Sequence, residues 1–230
     1  MTHDTYDRSF DELRTGFTAA VSHELRTPLA RILALLDSAD LPGADVRALI
    51  DQAREEVENA GALIDEILFL SELESGKEIV SLGHTNALPV LQGVAAQLED
   101  SATRAGIEVY VEGDPHVDLP LRPRMLRMLA KNLAENSIRY AGHGATLTLS
   151  IERSGDFAVL TAADDGIGVD PLTLSRLFER FYRGDAARTT RGTGLGLSIV
   201  KHMVAAAGGE VQADGARGRG LRIRCTFPVT

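Results

Sequence analysis

Between Val46 and Ile67 the apolar residues Val46, Ile50, Ala53, Val57, Ala60, Ile64 and Ile67 follow at steps of 4, 3, 4, 3, 4 and 3. Only a helix brings that spacing to one side, and a strict heptad seam requires a second helix against it. An earlier set, Phe10, Leu13, Phe17, Val21, Leu25, Pro28, Ile32 and Leu35, keeps a mean step near the ~3.6 of a helix. Between the two lies Ser38–Asp45, whose Pro42-Gly43 pair ends the first helix and whose Asp45 can cap the second. The reading is an antiparallel hairpin over 10–77 preceded by a short linker, 1–9. A hairpin cannot enclose a core, so its open stripe predicts pairing with a second copy as a four-helix bundle. The alternative is packing against the rest of the chain.

Pro28 falls inside the first helix, where its ring opposes the carbonyl of Glu24 and predicts a kink or loosening beside His23-Glu24. His23 lies ~200° around the helix from the apolar stripe and is expected to face solvent. Thr27 returns to the same face one turn later.

After Ser75-Gly76 the heptads stop, and a domain boundary is expected between Glu74 and Gly83. Strand-like alternation follows at Ile107–Val111, Thr146–Ile151, Phe157–Ala162, Glu210–Ala213 and Leu221–Phe227. Helical stretches are expected at Ala87–Arg104, Arg122–Tyr140, Leu172–Leu177 and Leu195–Ala207. The fold class is therefore α followed by α/β, a helical hairpin and then a two-layer sandwich with a mixed sheet over 83–230. The 230 residues suffice for two such domains.

Composition excludes several functions. With 24 Lys+Arg against 33 Asp+Glu the net charge is −9, which disfavours broad phosphate-backbone binding and hence nucleic acid. Cys225 is a lone cysteine in an alternating segment, so no disulfide framework is expected and a buried strand position is. No apolar run approaches the ~18 residues of a membrane span, and the N-terminus has no signal-peptide core. A soluble cytoplasmic chain is expected, attached to a membrane only through segments outside it. None of His3, His84, His116, His143 and His202 forms a spaced ligand cluster.

Against that acidic background, Arg176–Arg191 holds five arginines against Glu179 and Asp185, a local balance of +3. It runs into Gly192, Gly194 and Gly196 just ahead of the last expected helix. Glycines let backbone approach phosphates closely, and helix N-terminal amides receive negative charge. Asn132 and Asn136, four apart on one helix, face the same way and offer amide oxygens of the hard, neutral kind that suits Mg²⁺.

Five ordered motifs give these features a shared context. His23-Glu24-Leu25-Arg26-Thr27-Pro28-Leu29 resembles the phosphoacceptor box of sensor histidine kinases, and Asn132–Tyr140 resembles their asparagine box. Asp164-Asp165-Gly166-Ile167-Gly168 resembles the first glycine box, Phe178-Glu179-Arg180-Phe181 the F box, and Gly192-Thr193-Gly194-Leu195-Gly196-Leu197 the second glycine box. The resemblance implies the cytoplasmic core of such a kinase: a dimerisation and histidine-phosphotransfer hairpin, then an ATP-binding domain of the histidine kinase, gyrase and heat-shock type. It implies Asn136 as the Mg²⁺ ligand with Asn132 lining the same site, and Arg139 and Tyr140 on the nucleotide. Asp164 is implied as the adenine reader, with Gly166 and Gly168 turning beneath the base. Arg183, Arg191, Gly192, Thr193, Gly194, Leu195 and Gly196 are implied around the phosphates. Ser137 replaces the family's common alanine and Asp165 its frequent asparagine; neither change removes a required group.

By the same resemblance His23 attacks the γ-phosphoryl of ATP, with Glu24 taking the other ring proton, and the phosphoryl passes to a response-regulator receiver domain. Glu24 and Thr27 fit the family's phosphatase pattern, Thr27 orienting a water. The competing readings are a gyrase or heat-shock ATPase, an anti-sigma serine kinase, or an ATP-binding scaffold without turnover. The first two lack a preceding hairpin carrying His-Glu-x-x-Thr-Pro.

Overall fold

The computed structural model describes residues 21–22, 25–74, 83–182 and 194–229. The chain divides into two compact units, 1–69 and 70–230. Helix α1 covers 25–39 of the first, and α2 runs Val46–Glu74, its last five residues counting with the second. Asp45 caps α2 as expected, its Oδ1 accepting from the Ala48 amide at 3.1 Å. On α1 the expected stripe of Leu25, Pro28, Ile32 and Leu35 is half-buried. The α1 helix is continuous through Pro28; the loosening expected beside His23-Glu24 lies outside the described residues.

The heptad seam of α2 divides between two faces. Ala53, Ala60 and Ile67 turn inward with Leu49, Glu56 and Leu63, whereas Val46, Ile50, Val57 and Ile64 are exposed. A single helix contact needs a narrow seam, and a stripe this wide serves two. On α1, Leu29, Leu33 and Leu36 make a matching exposed row. The inner seam includes a carboxylate: Glu56 is buried, with Oε1 3.4 Å from Arg31 Nη1. A charge taken out of water requires such a partner.

The second unit is a mixed sheet with helices on one face. Its strands are β2 (Glu108–Gly113), β4 (Thr146–Ser154), β5 (Phe157–Asp164), β6 (Glu210–Gly215) and β7 (Leu221–Pro228), in spatial order β2-β4-β5-β7-β6. Only β2 and β4 are parallel. The connection between them carries helix α4 (Pro123–Tyr140), which packs on the sheet beside α3 (Ala87–Ala105) and α6 (Gly196–Ala206). One inward row crosses five strands in register: Val111, Leu149, Ala162, Ile223 and Ala213. The outward row of β7, Arg222 and Arg224, is exposed, so the bare face is polar. A two-residue pair, β1 (Thr85–Asn86) with β3 (Asp118–Leu119), was too short for any periodicity to announce. The helix expected at Leu172–Leu177 shrinks to α5, Pro171–Leu174, a single turn capped by the Asp170 carboxylate. It has no apolar face to bury; Leu172 is 81% exposed. Among the described residues no helix is long and apolar enough to cross a membrane.

Cys225 stands in the inward row Ile151–Leu160–Cys225–Val211 and is fully buried. Burial pushes its thiol from the ordinary 9.0 up to about 12. The folded chain therefore keeps the proton where the unfolded chain releases it. The thiol's contribution to stability is whole below pH 9 and is lost as pH rises towards 12. At pH 8 the native chain should resist alkylation and react only once unfolded; rapid labelling of the folded chain would contradict this burial.

Candidate functional site

Of the expected nucleotide-binding residues, Asn132, Asn136, Arg139 and Tyr140 lie on α4, and Asp164 closes β5 with Gly166 and Gly168 just after it. That helix buries Leu126, Leu129, Ala130, Leu133, Ala134 and Ser137 on the sheet, which leaves Asn132 and Asn136 half-buried at its side. Asn132 Nδ2 donates to the Met128 carbonyl at 2.9 Å, which turns its Oδ1 away from the helix. A Cβ on Gly196 would collide with that Oδ1, so glycine is what allows the start of α6 to reach Asn132. The first-turn amides of any helix lack an acceptor within it, and α6 meets the asparagine at that end. Leu195 just before α6 is buried.

Asp164 ends β5 against α4 and is 9% exposed. Its Oδ1 accepts from the amides of Gly166 at 3.1 Å and Leu221 at 3.2 Å. Its Oδ2 accepts from the Ser137 hydroxyl at 2.9 Å. A carboxylate offers about four acceptor positions, so one remains, on Oδ2. Gly166 lies so close to the Ala141 carbonyl that no side chain fits, and Ile167 donates to the same carbonyl at 2.8 Å. Gly168 (φ 66°) and Gly220 (φ 73°) are both in the left-handed region. Cβ atoms there would strike the carbonyls of Ala216 and Asp164 respectively, which locks the β6–β7 turn onto the Asp164–Gly168 segment. Asp165, exposed, instead accepts from the Thr146 amide and closes the end of the β4–β5 pair.

The F-box segment borders the start of α6. Phe181 holds φ at 58°, uncommon for an aromatic residue, and its amide donates to the Gly194 carbonyl at 2.9 Å. Arg180 lies 3.2 Å from His202 Nε2, and His202 Nδ1 is 2.7 Å from the Ser198 carbonyl. An arginine can only donate and a carbonyl only accept, so the imidazole takes the Nδ1–H tautomer. Arg176 pairs with Glu179 at 2.9 Å and sits 4.3 Å from the Tyr182 ring centroid.

Thus Asn132 meets Gly196 and Phe181 binds Gly194 at the start of α6, while Asp164 binds Gly166 at the end of α4. Arg139 is exposed and Tyr140 half-buried at the close of α4. On the separate hairpin Thr27 is exposed, at a shallow dent with Arg26, Ala30, Arg31 and Ala34. His23, Glu24, Arg183, Arg191, Gly192 and Thr193 lie outside the described residues. Sequence reasoning passed over Ser137 and the Gly215–Gly220 turn as parts of the site. Two signals were available: a hydroxyl within the apolar stripe of α4, and three glycines in six residues between strands.

Two family descriptions match the chain. Residues 13–76 match the His Kinase A (phospho-acceptor) domain. Residues 122–230 match the histidine kinase-, DNA gyrase B-, and HSP90-like ATPase. The sensor-like histidine kinase SenX3 of Mycobacterium tuberculosis (strain ATCC 25618 / H37Rv) is 31% identical over 99% of this chain and 57% of its own length. The chain thus spans little more than half of that relative. Among solved structures, Acinetobacter baumannii histidine kinase AdeS shares the fold with a TM-score of 0.73 at 22% identity, over 90% of this chain and 98% of that one. Full-length ShkA in complex with AMPPNP has a TM-score of 0.66 at 26% identity, over 91% of this chain and 45% of that one.

Proposed function

This chain belongs to the sensor histidine kinases, and from that membership we propose that it transfers the γ-phosphoryl of ATP to its own His23 and then to an aspartate of a response-regulator receiver domain. The observation that carries the reading is the Asp164 carboxylate, held by three donors with one acceptor position open, against the same helix α4 whose Asn132 meets the start of α6 at Gly196. An exocyclic amine of adenine matches that acceptor, and a polyphosphate matches the helix end. Arg139, Tyr140, Gly166, Gly168, Arg183, Arg191, Gly192, Thr193, Gly194 and Leu195 complete the nucleotide's surroundings. The donor set also fits a hard cation: Asn136 would ligate Mg²⁺, with Asn132 lining the same site, and the ion would neutralise phosphate charge.

In the reaction, a neutral imidazole nitrogen of His23 forms the new N–P bond while the bond to the departing ADP oxygen breaks in line. Glu24 accepts the proton on the other ring nitrogen, fixing the tautomer and offsetting the positive charge that develops. The domains are read as a linker, 1–9, a phosphotransfer hairpin, 10–77, and an ATP-binding domain, 83–230. The exposed rows Val46, Ile50, Val57, Ile64 and Leu29, Leu33, Leu36 support a homodimeric four-helix bundle. ATP chemistry suits the cytoplasm, with any membrane attachment through segments outside this chain. The direct test is uptake of γ-phosphoryl label from ATP in an acid-labile, alkali-stable form.

The reverse reaction is assigned to the same face: Thr27, one turn from His23 and exposed, orients the water that hydrolyses the regulator's phosphoaspartate. Thr27→Ala should slow dephosphorylation of a purified phosphorylated regulator by about ten- to a hundred-fold, the scale of a misplaced reactant. Dephosphorylation at the parent rate would remove Thr27 from this role.

A further inference from the structure

We propose that Ser137 is a positioning residue that sharpens this chain's preference for a purine bearing an exocyclic amine, a proposal that rests on Asp164 reading the base. Ser137 is 4% exposed on the sheet-facing side of α4, among Leu126, Leu129, Ala130, Leu133 and Ala134. A hydroxyl placed there costs stability unless it is bonded. Its bond is the one to Asp164 Oδ2, at 2.9 Å. The two backbone amides of Gly166 and Leu221 hold the other oxygen, Oδ1. Ser137 is therefore what fixes the direction of the oxygen that still has an acceptor position open.

The serine's chemistry adds to the selection. Having donated its hydrogen to Asp164, the hydroxyl retains only lone pairs. The pair then presents acceptors alone. An amine on the base is bound there, whereas a carbonyl at the same position sets oxygen against oxygen and gains nothing from the alignment of Oδ2. Removing the hydroxyl should loosen Oδ2 and weaken the amine's bond, with little consequence for a carbonyl-bearing base.

The experiment is equilibrium titration of the full chain, in Mg²⁺, with ATP and with inosine triphosphate, which differ in amine against carbonyl at that position. Ser137→Ala should weaken ATP about five- to ten-fold, the worth of one hydrogen bond, and inosine triphosphate by less than about two-fold. The preference for ATP then falls by nearly the same factor. Retained binding of inosine triphosphate shows that the variant is folded. Parallel weakening of both nucleotides, or of neither, would overturn the proposal, because a serine that only packs cannot change their ratio. Asp164→Asn tests the underlying reading in the same assay and should remove most of the preference. If the parent shows no preference, or Asp164→Asn keeps it, base reading by Asp164 fails and the proposal goes with it. If Asp164→Asn loses the preference and Ser137→Ala retains it, the role given to Ser137 alone is refuted.

Discussion

Incubated with γ-labelled ATP and Mg²⁺, the His23→Gln chain should take up no label, while the parent chain becomes labelled in an acid-labile, alkali-stable form. Glutamine keeps a polar side chain, but its amide nitrogen has no nucleophilic lone pair; it cannot form the N–P bond. The expected loss is about a thousand-fold or more, because catalysis here rests on positioning and charge neutralisation around one nucleophile. ATP binding should survive, since the nucleotide site belongs to the other unit. Equal labelling of both chains would move the acceptor elsewhere. Binding without label on either would make the chain a nucleotide-binding module and sink the kinase reading.

The second large effect is expected in the β6–β7 turn. A Cβ at Gly220 would enter the carbonyl of Asp164 and crowd the Cα of Asp165 at 2.9 Å, at a φ of 73°. Gly220→Ala should cost about 2–4 kcal/mol, from left-handed strain plus overpacking against backbone that cannot rotate away. It should also displace Asp164, the residue proposed to receive the base, so ATP affinity should fall with stability. Gly218 makes the control. It has the same φ of 73° but no atom within 4 Å of a built Cβ, so Gly218→Ala should cost only about 1–2 kcal/mol. Thermal melting separates them: at roughly 2–4 °C per kcal/mol, Gly220→Ala should melt clearly below Gly218→Ala. Coincident melting curves would deny the close approach.

Both helices of the hairpin could be read from apolar spacing, yet the spacing did not say which half of the stripe would face inward. Helical period places Val57 and Ala60 on one broad face; only packing decides that Ala60 turns in with Leu63 and Val57 stays out. Glu56 illustrates the limit, because a carboxylate in the seam is tolerated through Arg31, twenty-five residues away. The long strands were legible because alternation survives in β4 and β7, where Leu147, Leu149 and Ile151 and then Leu221, Ile223, Cys225 and Phe227 point inward. The pairing of Thr85–Asn86 with Asp118–Leu119 had no such pattern, being set by contacts between distant segments. In the site, the types and spacing of Gly192, Gly194 and Gly196 pointed to phosphates and those of Asn132 and Asn136 to Mg²⁺, whereas Asp164 entered through the family resemblance. The bond from Ser137 to Asp164 could not be seen in the sequence, since residues on α4 and β5 meet only after the sheet has formed.

The hydrogen bond from the Phe181 amide to the Gly194 carbonyl ties the end of the F-box segment directly to the residue two before α6. Two segments clamped to each other in this way hold their positions through space and not only through the sequence that joins them. The seat of Asn132 against Gly196 thus takes its position from the F-box segment as well as from α4.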